Sequence, residues 1–324
     1  MEVKNIVYSV FCALDVFFVV YSSHIKESQK MDKSVKHGII TVLIAGVLWG
    51  FSGVCGQYIM QRHSVSPDWL VPYRLVISGA ILVLINIIKH GRQTFNIWKT
   101  DTPKLLTFAI FGMTLCQYSY FSSVNSSNAG TATVLQQVSI VMIMLYTCLK
   151  ARKLPSIKEN LCLILALAGV FFMATHGNIK SLVISPQGLF WGFCNALAVT
   201  LYTLIPAGLI KKYGSSITTG WGMLIGGTLI MVTFQPWNMN IGITPFILEM
   251  VAVIIVFGTI LPFSMYLKGV VLAGANRAAM LSNMEPLTAA LLAVIWLGEH
   301  FTPMDILGAV CILSTIFILG SDNK

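Results

Sequence analysis

The sequence predicts an all-α membrane protein with ten transmembrane helices, arranged as two inverted five-helix repeats around a central cavity. Its composition, its long apolar blocks and an internal repeat are the three observations that predict this fold. The 324 residues are 56% hydrophobic and only 10% charged, and the mean hydropathy is +0.79. Because soluble chains carry about 25% charged residues, the composition excludes a pair of soluble domains, a disordered chain, a disulfide-stapled fold and a nucleic-acid binder.

The predicted helices follow from apolar blocks that meet or approach the length needed to cross a bilayer. A crossing helix needs about 20 largely apolar residues, and helices satisfy their own backbone groups in lipid. Most prolines lie between these blocks or at their ends, where a missing N–H does least harm. The ten blocks are 38–60, 69–88, 105–124, 129–149, 161–175, 188–210, 218–234, 244–267, 275–297 and 304–320.

The distribution of basic residues predicts the orientation of these helices. The formal net charge is +9, and most cations lie in short clusters between apolar blocks. If residues 31–37 are cytoplasmic, the inner connections and ends hold fifteen Lys and Arg residues, whereas the outer connections hold only Arg62 and Lys180. Cytoplasmic loops are enriched in Lys and Arg, so we expect a multi-pass protein of the cell membrane with both ends of the ten-helix unit in the cytoplasm.

Residues 1–30 form a separate segment with three interpretations. The apolar stretch 6–21 is interrupted by Asp15, and no small-residue cleavage pattern follows it. We expect an N-terminal extension upstream of a start at Met31. An eleventh span, or an uncleaved signal-like segment at the membrane interface, stays open, although a span would place Asp15 in lipid unless it is protonated or paired.

An internal repeat divides the ten-helix unit into halves covering residues 31–177 and 178–324. At an offset of 146 residues, the third and fourth predicted helices align with the eighth and ninth, and Phe111-Gly112 meets Phe257-Gly258. Because each half has five helices, an odd number, the second half crosses the membrane in the opposite orientation to the first. Inverted repeats of this kind are typical of secondary transporters, whose substrate site lies near the bilayer midplane between the halves.

Several short motifs resemble the EamA-type branch of the drug/metabolite transporter superfamily, over essentially all of residues 31–324. They are Glu285-Pro286, Gly298-Glu299, Gly308, Trp49-Gly50, Pro72 and Arg74. The resemblance implies ten helices, an inverted repeat and a central cavity lined by helices one, three, four, six, eight and nine. It also implies small organic solutes, often amino acids or related metabolites and often exported. The first half departs from the pattern, with Ile140 and Arg152-Lys153 where the family often has proline and Gly-Glu.

Glu285 is the strongest candidate for a functional residue, because it lies near the centre of an apolar block. An isolated charged side chain there costs at least about 2.5–3.5 kcal/mol on insertion scales. Pro286 leaves the carbonyl of Ser282 without its helical partner, and Asn283 lies two residues away. We predict a protonatable or cation-binding site that couples or selects transport. The alternative is a hydrogen-bonded carboxyl group that holds helices together.

Arg74 is the one cation well inside an apolar block of the sequence. It is a candidate for bidentate pairing with a substrate carboxylate. The structural alternative, which the sequence favours, is that Arg74 locks two helices together or extends to the interface.

Polar and aromatic residues inside the apolar blocks are the remaining candidates for the cavity lining. Amides and hydroxyls need partners in a bilayer and therefore face the protein interior. Trp191, Asn195 and Tyr202 share one helix face by their spacing, which offers stacking surface and hydrogen bonds to a small molecule. The alternative is that each aromatic ring only packs or lies at the membrane interface. The predicted substrate-binding set is Trp49, Tyr118, Gln136, Gln137, Ser139, Trp191, Asn195, Tyr202, Asn283 and Glu285.

The sequence contains none of the enzyme motifs H-E-x-x-H, G-x-S-x-G or G-x-x-x-x-G-K. We therefore expect neither catalysis nor a cofactor or metal, and we expect a small solute and the lipid bilayer as partners. Proton coupling is a prediction, and a homodimer stays open. The predicted function is export of a small organic metabolite by alternating access, with uptake, facilitated diffusion or a non-transporting receptor as alternatives.

Overall fold

A computed structural model describes residues 33–178, 183–273 and 284–320, together with Leu281. The described residues form helices joined by short connections and contain no β-strand. The predicted all-α fold is therefore confirmed for this part of the chain. The N-terminal extension over 1–30 and the predicted outer cation Lys180 lie outside the described residues, as do Ser282 and Asn283 beside the predicted coupling site.

The first stretch of the chain consists mainly of long helices with short breaks. Pro67 is the first residue of α2, as expected for a proline between two apolar blocks. A 3-10 turn, Gly91–Phe95, follows α2, and a first π segment, Phe108–Thr114, precedes α5. The helices are α1 (Lys33–His63), α2 (Pro67–His90), α3 (Asn96–Thr100), α4 (Thr102–Thr107), α5 (Leu115–Ser126), α6 (Ala129–Gln136), α7 (Val138–Ala151) and α8 (Ile157–Thr175).

The second stretch has the same character. A second π segment, Val256–Ile260, and a third, Ala293–Leu297, interrupt its helices. The helices are α9 (Pro186–Leu204), α10 (Ala207–Tyr213), α11 (Ser215–Phe234), α12 (Pro245–Ile255), α13 (Leu261–Ala273), α14 (Met284–Leu292) and α15 (Pro303–Gly320).

Several of these helices are long and apolar enough to cross a membrane. Within the described residues six stretches qualify, and a seventh qualifies if α9 and α10, which meet at an angle of 41°, form one bent span. The stretch from α4 to α5 does not qualify, and α5 is rich in serine. The segments Met284–Leu297 and Pro303–Thr315 are apolar but shorter. The protein is therefore a multi-pass membrane protein, whereas the count of ten helices stays a prediction.

Glycines allow helices from the two stretches to pack closely. A Cβ atom added to Gly79 of α2 would lie 2.4 Å from the backbone nitrogen of Leu224 in α11. A Cβ atom added to Gly169 of α8 would lie 2.7 Å from the carbonyl oxygen of Gly308 in α15. Small residues at membrane helix interfaces allow this approach. The pairs α2–α11 and α8–α15 therefore join the two halves of the chain.

Candidate functional site

Arg74 of α2 connects the two halves through a buried hydrogen-bond network. Only 4% of the residue is exposed. Its Nε donates to Thr259 Oγ1 at 2.8 Å, and its Nη2 donates to the carbonyl oxygen of Gly258 at 3.0 Å. Its Nη1 donates to Gln117 Oε1 at 3.0 Å, and the guanidinium lies 4.9 Å from the ring centroid of Phe121. The protein itself therefore occupies all three nitrogens of Arg74.

Glu285 belongs to α14, at the place where this helix crosses α1. A Cβ atom added to Gly50 of α1 would lie 2.6 Å from the carbonyl oxygen of Glu285, so the two backbones are in close contact. The side chain of Gln136 in α6 lies within hydrogen-bonding reach of the Glu285 carboxyl group, and Arg74 interacts with it electrostatically. The carboxyl group thus lies where α1, α6 and α14 approach each other.

Two hydroxyl groups in the same central region use none of their hydrogen-bonding capacity within the described part of the protein. They belong to Ser52 and Tyr120, which are 2% and 8% exposed. Ser52 Oγ lies 1.9 Å from the position that a Cβ atom on Gly258 would take. The Tyr120 hydroxyl group lies against Gly53 of α1, in the same region as Arg74 and Glu285. Because buried polar groups normally have partners, these hydroxyls are candidates for contacts with a ligand or water.

Tyr118 and Trp191 come together toward the end of the bundle that the sequence assigns to the outside. Their rings form an edge contact with centroids 5.3 Å apart, and Phe234 lies 5.1 Å from Tyr118. The hydroxyl of Tyr118 donates to Asp68 Oδ1 at 2.6 Å. These four residues come from α2, α5, α9 and α11, so the cluster joins both halves.

Asn195 lies on the same face of α9 as Trp191 and is fully buried. Its Nδ2 donates to the carbonyl oxygen of Cys116 at 3.1 Å, while its Oδ1 has no partner among the described residues. The face that the spacing of Trp191, Asn195 and Tyr202 predicts therefore packs against α5 and the first π segment.

Trp49 and Tyr202 both lie near a third aromatic ring, that of Phe263. Phe263 of α13 lies 5.2 Å from Trp49 and 6.4 Å from Tyr202, between ring centroids. Tyr266, one turn further along α13, lies 5.4 Å from Trp49. Phe108 of the first π segment lies 5.7 Å from Tyr202. The structure thus adds Phe263, Tyr266 and Phe108 to the predicted aromatic residues.

The remaining predicted residues surround a break between α6 and α7. Gln137 separates the two helices, and both Gln137 and Ser139 are buried. The carbonyl oxygen of Ser139 accepts a hydrogen bond from Thr200 Oγ1 of α9 at 3.4 Å. Gln136, which ends α6, is the one of these three residues within reach of Glu285. Asn283 lies outside the described residues.

A second polar contact links α1 to the end of the third π segment. Gln57 is fully buried, and its Nε2 donates to Glu299 Oε1 at 2.6 Å. Its Oε1 accepts the backbone N–H of Ala129 at 2.8 Å. Glu299, which the sequence singles out only as part of the Gly298-Glu299 motif, is therefore hydrogen-bonded to α1. Trp296 and Tyr58 stack beside this contact, with ring centroids 5.2 Å apart.

The partners of Arg74 are residues that the sequence did not single out. Thr259 and Gln117 lie 185 and 43 residues away from Arg74 along the chain. One signal was present, because the offset of 146 residues aligns Thr259 with the apolar Met113. A polar residue in one half at a position that is apolar in the other half marks a place where the two halves differ.

Comparisons with known proteins identify relatives over most of the chain. The profile of the EamA-like transporter family matches residues 36–175 and 186–321. An uncharacterized inner membrane transporter of Salmonella typhimurium (strain LT2), YicL, is 39% identical over 293 residues, which are 90% of this chain and 97% of that protein. An uncharacterized transporter of Bacillus subtilis (strain 168), YwfM, is 27% identical, with 87% of this chain and 94% of that protein covered.

More distant similarities agree with these two. A WAT1-related chloroplastic protein of Arabidopsis thaliana is 22% identical, over 86% of this chain and 69% of that protein. A solved crystal structure is similar in fold, with a TM-score of 0.56 at 12% identity, and covers 85% of this chain and 96% of that chain.

The family match covers both halves of the described helices and includes Arg74, Glu285 and their partners. The relatives match over nearly their whole length and are named as transporters. These findings point to transport rather than catalysis. The chain is a multi-pass membrane protein and belongs to the EamA-like transporter family.

Proposed function

We propose that the protein exports a small organic metabolite, an amino acid or a related compound, by alternating access, with Glu285 as the proton-coupling group. The observation that carries this proposal is a carboxyl group inside the helix bundle: the backbone of Glu285 contacts Gly50 of α1, and its carboxyl group lies within reach of Gln136. A charged group inside a membrane protein is costly and commonly marks a substrate or ion pathway.

The proposed architecture is ten helices in two inverted repeats, within the cell membrane and with both ends of the unit cytoplasmic. The offset of 146 residues superimposes the second π segment, Val256–Ile260, on residues 110–114 of the first π segment. The same offset relates most of α2 to α11, the two helices that pack through Gly79. Equivalent elements that meet between the halves support rocking of one half against the other.

The proposed substrate site lies between Glu285 and the two aromatic groups. Trp49 of the Trp49–Phe263–Tyr202 group precedes Gly50, which contacts the backbone of Glu285, and the Tyr118–Trp191 pair lies toward the end of the bundle that the sequence assigns to the outside. Aromatic faces with a few polar groups suit a small organic solute. Loss of a proton from Glu285 changes the charge of this region, so proton movement and solute movement are coupled when both bind here.

Flux measurements in proteoliposomes test the coupling. Purified protein is reconstituted, a panel of amino acids and related metabolites is loaded, and efflux is followed with and without an imposed pH gradient. We expect the gradient to accelerate efflux of at least one solute in the wild type, and Glu285→Gln to reduce this acceleration at least tenfold. Glu249→Gln is the matched control, because Glu249 is an exposed carboxylate of α12.

Two results would contradict the proposal in different ways. If Glu285→Gln retains gradient-driven flux, the coupling role of Glu285 is wrong. If flux is insensitive to the gradient in the wild type, the protein is a facilitated-diffusion carrier. Export is tested separately by comparing metabolite levels in cells that overproduce or lack the protein, since an exporter lowers the internal level of its substrate.

A further inference from the structure

A cavity of about 770 Å³ lies far from Glu285, at the end of the bundle that the sequence assigns to the cytoplasm. It is formed by the end of α2, the connection that follows α2, and the junction between α10 and α11. It therefore lies between the two halves of the chain. The lining residues are Asn86, His90, Gln93, Asn96, Lys99, Thr100, Lys212, Tyr213, Gly214, Ser215, Ser216 and Ile217.

The described lining of this cavity contains basic side chains and no acidic side chain. Lys99, His90 and Lys212 are basic or can become cationic, and none of the described residues that line the cavity is acidic. Asp101 lies beside the cavity, where its Oδ2 accepts hydrogen bonds from Lys212 Nζ at 2.8 Å and Tyr213 Oη at 2.7 Å. The Asp101 carboxylate holds the Lys212 side chain in place, so Lys99 and His90 are the basic side chains that can contact a ligand.

The walls of the cavity are built from hydrogen-bonded groups. Asn86 is 2% exposed, and its Nδ2 donates to Ser216 Oγ at 2.8 Å, which joins α2 to the first turn of α11. The hydroxyl groups of Thr100 and Tyr213 lie 2.8 Å apart and close a second side. These contacts hold the lining in place without occupying the basic groups.

The first turn of α11 adds backbone donors to the basic side chains. Gly214 precedes this 20-residue helix and provides no side-chain cap, and Ser215, Ser216 and Ile217 of the first turn line the cavity. The first N–H groups of a helix have no partner within the helix. The amino end of a helix favours anions, because its N–H groups and its dipole point toward them. The cavity thus combines side-chain cations with a second, independent source of positive potential.

Aromatic rings next to the cavity support a position at the level of the membrane interface. Trp221 lies one helical turn beyond Ile217 on the same face of α11, and its Nε1 donates to the carbonyl oxygen of Thr94 at 3.0 Å. Trp98 and Phe95 contact Trp221, with ring centroids 5.2 Å and 5.5 Å away. Tryptophan is enriched where the headgroups begin, and basic pockets at this level suit lipid headgroups.

We propose that this cavity binds the phosphate group of an anionic ligand, carried by a lipid headgroup or by a soluble phosphate compound. A phosphate accepts several hydrogen bonds at once and matches Lys99, His90 and the amino end of α11 together. The cavity is larger than a phosphate ion needs, so it also holds the organic part of the ligand.

Binding to the purified full-length protein in neutral detergent tests this proposal. The probes are short-chain phosphatidylglycerol, glycerol 3-phosphate and inorganic phosphate, each titrated while the fluorescence of the tryptophans and the melting temperature are recorded. We expect Lys99→Gln combined with His90→Gln to weaken binding at least tenfold. Both residues are exposed, so the double variant should fold. Lys153→Gln, an exposed lysine in another connection, removes the same charge as Lys99→Gln away from the cavity and should leave binding unchanged.

The pattern among the probes identifies the source of the phosphate. Saturable binding of phosphatidylglycerol alone, lost in the double variant, supports a lipid headgroup. Binding of glycerol 3-phosphate or inorganic phosphate, lost in the same variant, supports a soluble ligand. The proposal is overturned if no probe saturates, or if the double variant binds as tightly as Lys153→Gln.

Discussion

Arg74 and Glu285 are both charged residues in the membrane-spanning part of the chain, but their surroundings differ. Arg74 is almost fully buried, and the protein occupies each of its three nitrogens. Glu285 is partly exposed as a residue, and its carboxyl group has one amide within reach and the cation of Arg74 nearby. The position of a charge in the membrane therefore does not by itself distinguish a structural residue from a functional one. We expect the number of its hydrogen-bonding partners to make this distinction.

The largest expected effect on stability is that of replacing Arg74. Arg74→Met leaves the oxygens of Thr259, Gln117 and Gly258 buried without a donor, and each such group costs about 1–3 kcal/mol. We expect the free energy of unfolding to fall by about 3–5 kcal/mol, measured by denaturant titration in mixed micelles. Arg74→Lys should recover only part of this loss, because an ammonium group lacks the planar fork of arginine.

A different outcome for Arg74→Met would give Arg74 a functional role instead of a structural one. If Arg74→Met folds with nearly wild-type stability but loses transport of anionic solutes, Arg74 is the substrate-binding residue. The sequence prediction of anion pairing would then be correct.

The next effect concerns Gly258, whose carbonyl oxygen accepts from Arg74. A methyl group at this position would lie 1.9 Å from Ser52 Oγ, so Gly258→Ala pushes α1 away from the second π segment. Overpacking of this kind costs about 1–3 kcal/mol. Gly208→Ala is the control, since nothing lies within 4 Å of its added Cβ atom, and it should change the melting temperature little. Helix propensity favours alanine over glycine in both variants, so equal losses would show that the close contact with Ser52 is not responsible.

A smaller effect on stability is expected for Glu285→Gln. Glutamine has the size of glutamate and keeps a hydrogen-bonding group near Gln136, while the cost of burying a carboxylate is removed. We expect the free energy of unfolding to change by less than about 1 kcal/mol at neutral pH, in the same preparation that loses gradient-driven flux. A loss as large as that of Arg74→Met would show that Glu285 holds helices together and has no separate coupling role.

The sequence predicts the helices of this protein better than it predicts their contacts. The block 69–88 corresponds to α2, Pro67–His90, because apolar length and a proline at the start are local properties. The block 38–60 is shorter than α1, Lys33–His63, because polar residues at a membrane interface continue the helix without being apolar. Apolar composition therefore locates a span but misses the ends of its helix.

The site is less predictable, because its geometry depends on packing between distant segments. A charge such as Glu285 or Arg74 is visible in a single apolar block, and both were singled out. The contact of Arg74 with Thr259 joins residues 185 positions apart, and a single helical block does not predict which distant helix it packs against. The aromatic residue Phe263 was missed for the same reason, since phenylalanine in an apolar block has no distinguishing pattern until Trp49 and Tyr202 lie beside it.

The smallest expected effect on stability is that of replacing Asp101, a charged residue outside the membrane-spanning helices. Asp101 follows α3 and is held by Lys212 and Tyr213, whose hydrogen bonds lower its pKa to about 2. A lowered pKa means that the ionised group stabilises the fold above its ordinary pKa of 3.8, and that this contribution is lost as the pH falls through about 2. Wild type should therefore melt slightly above Asp101→Asn at pH 6, and the difference should shrink below pH 4.

Because Asp101 interacts with exposed partners, salt should screen its contribution, whereas the effect of Arg74→Met should persist at high ionic strength. Melting curves of both variants at low and high salt, at each pH, check this contrast. If salt reduces the effect of Arg74→Met as strongly as that of Asp101→Asn, water reaches the guanidinium. Its three hydrogen bonds would then not explain a structural role, and Arg74 would no longer differ from Glu285 in the way proposed above.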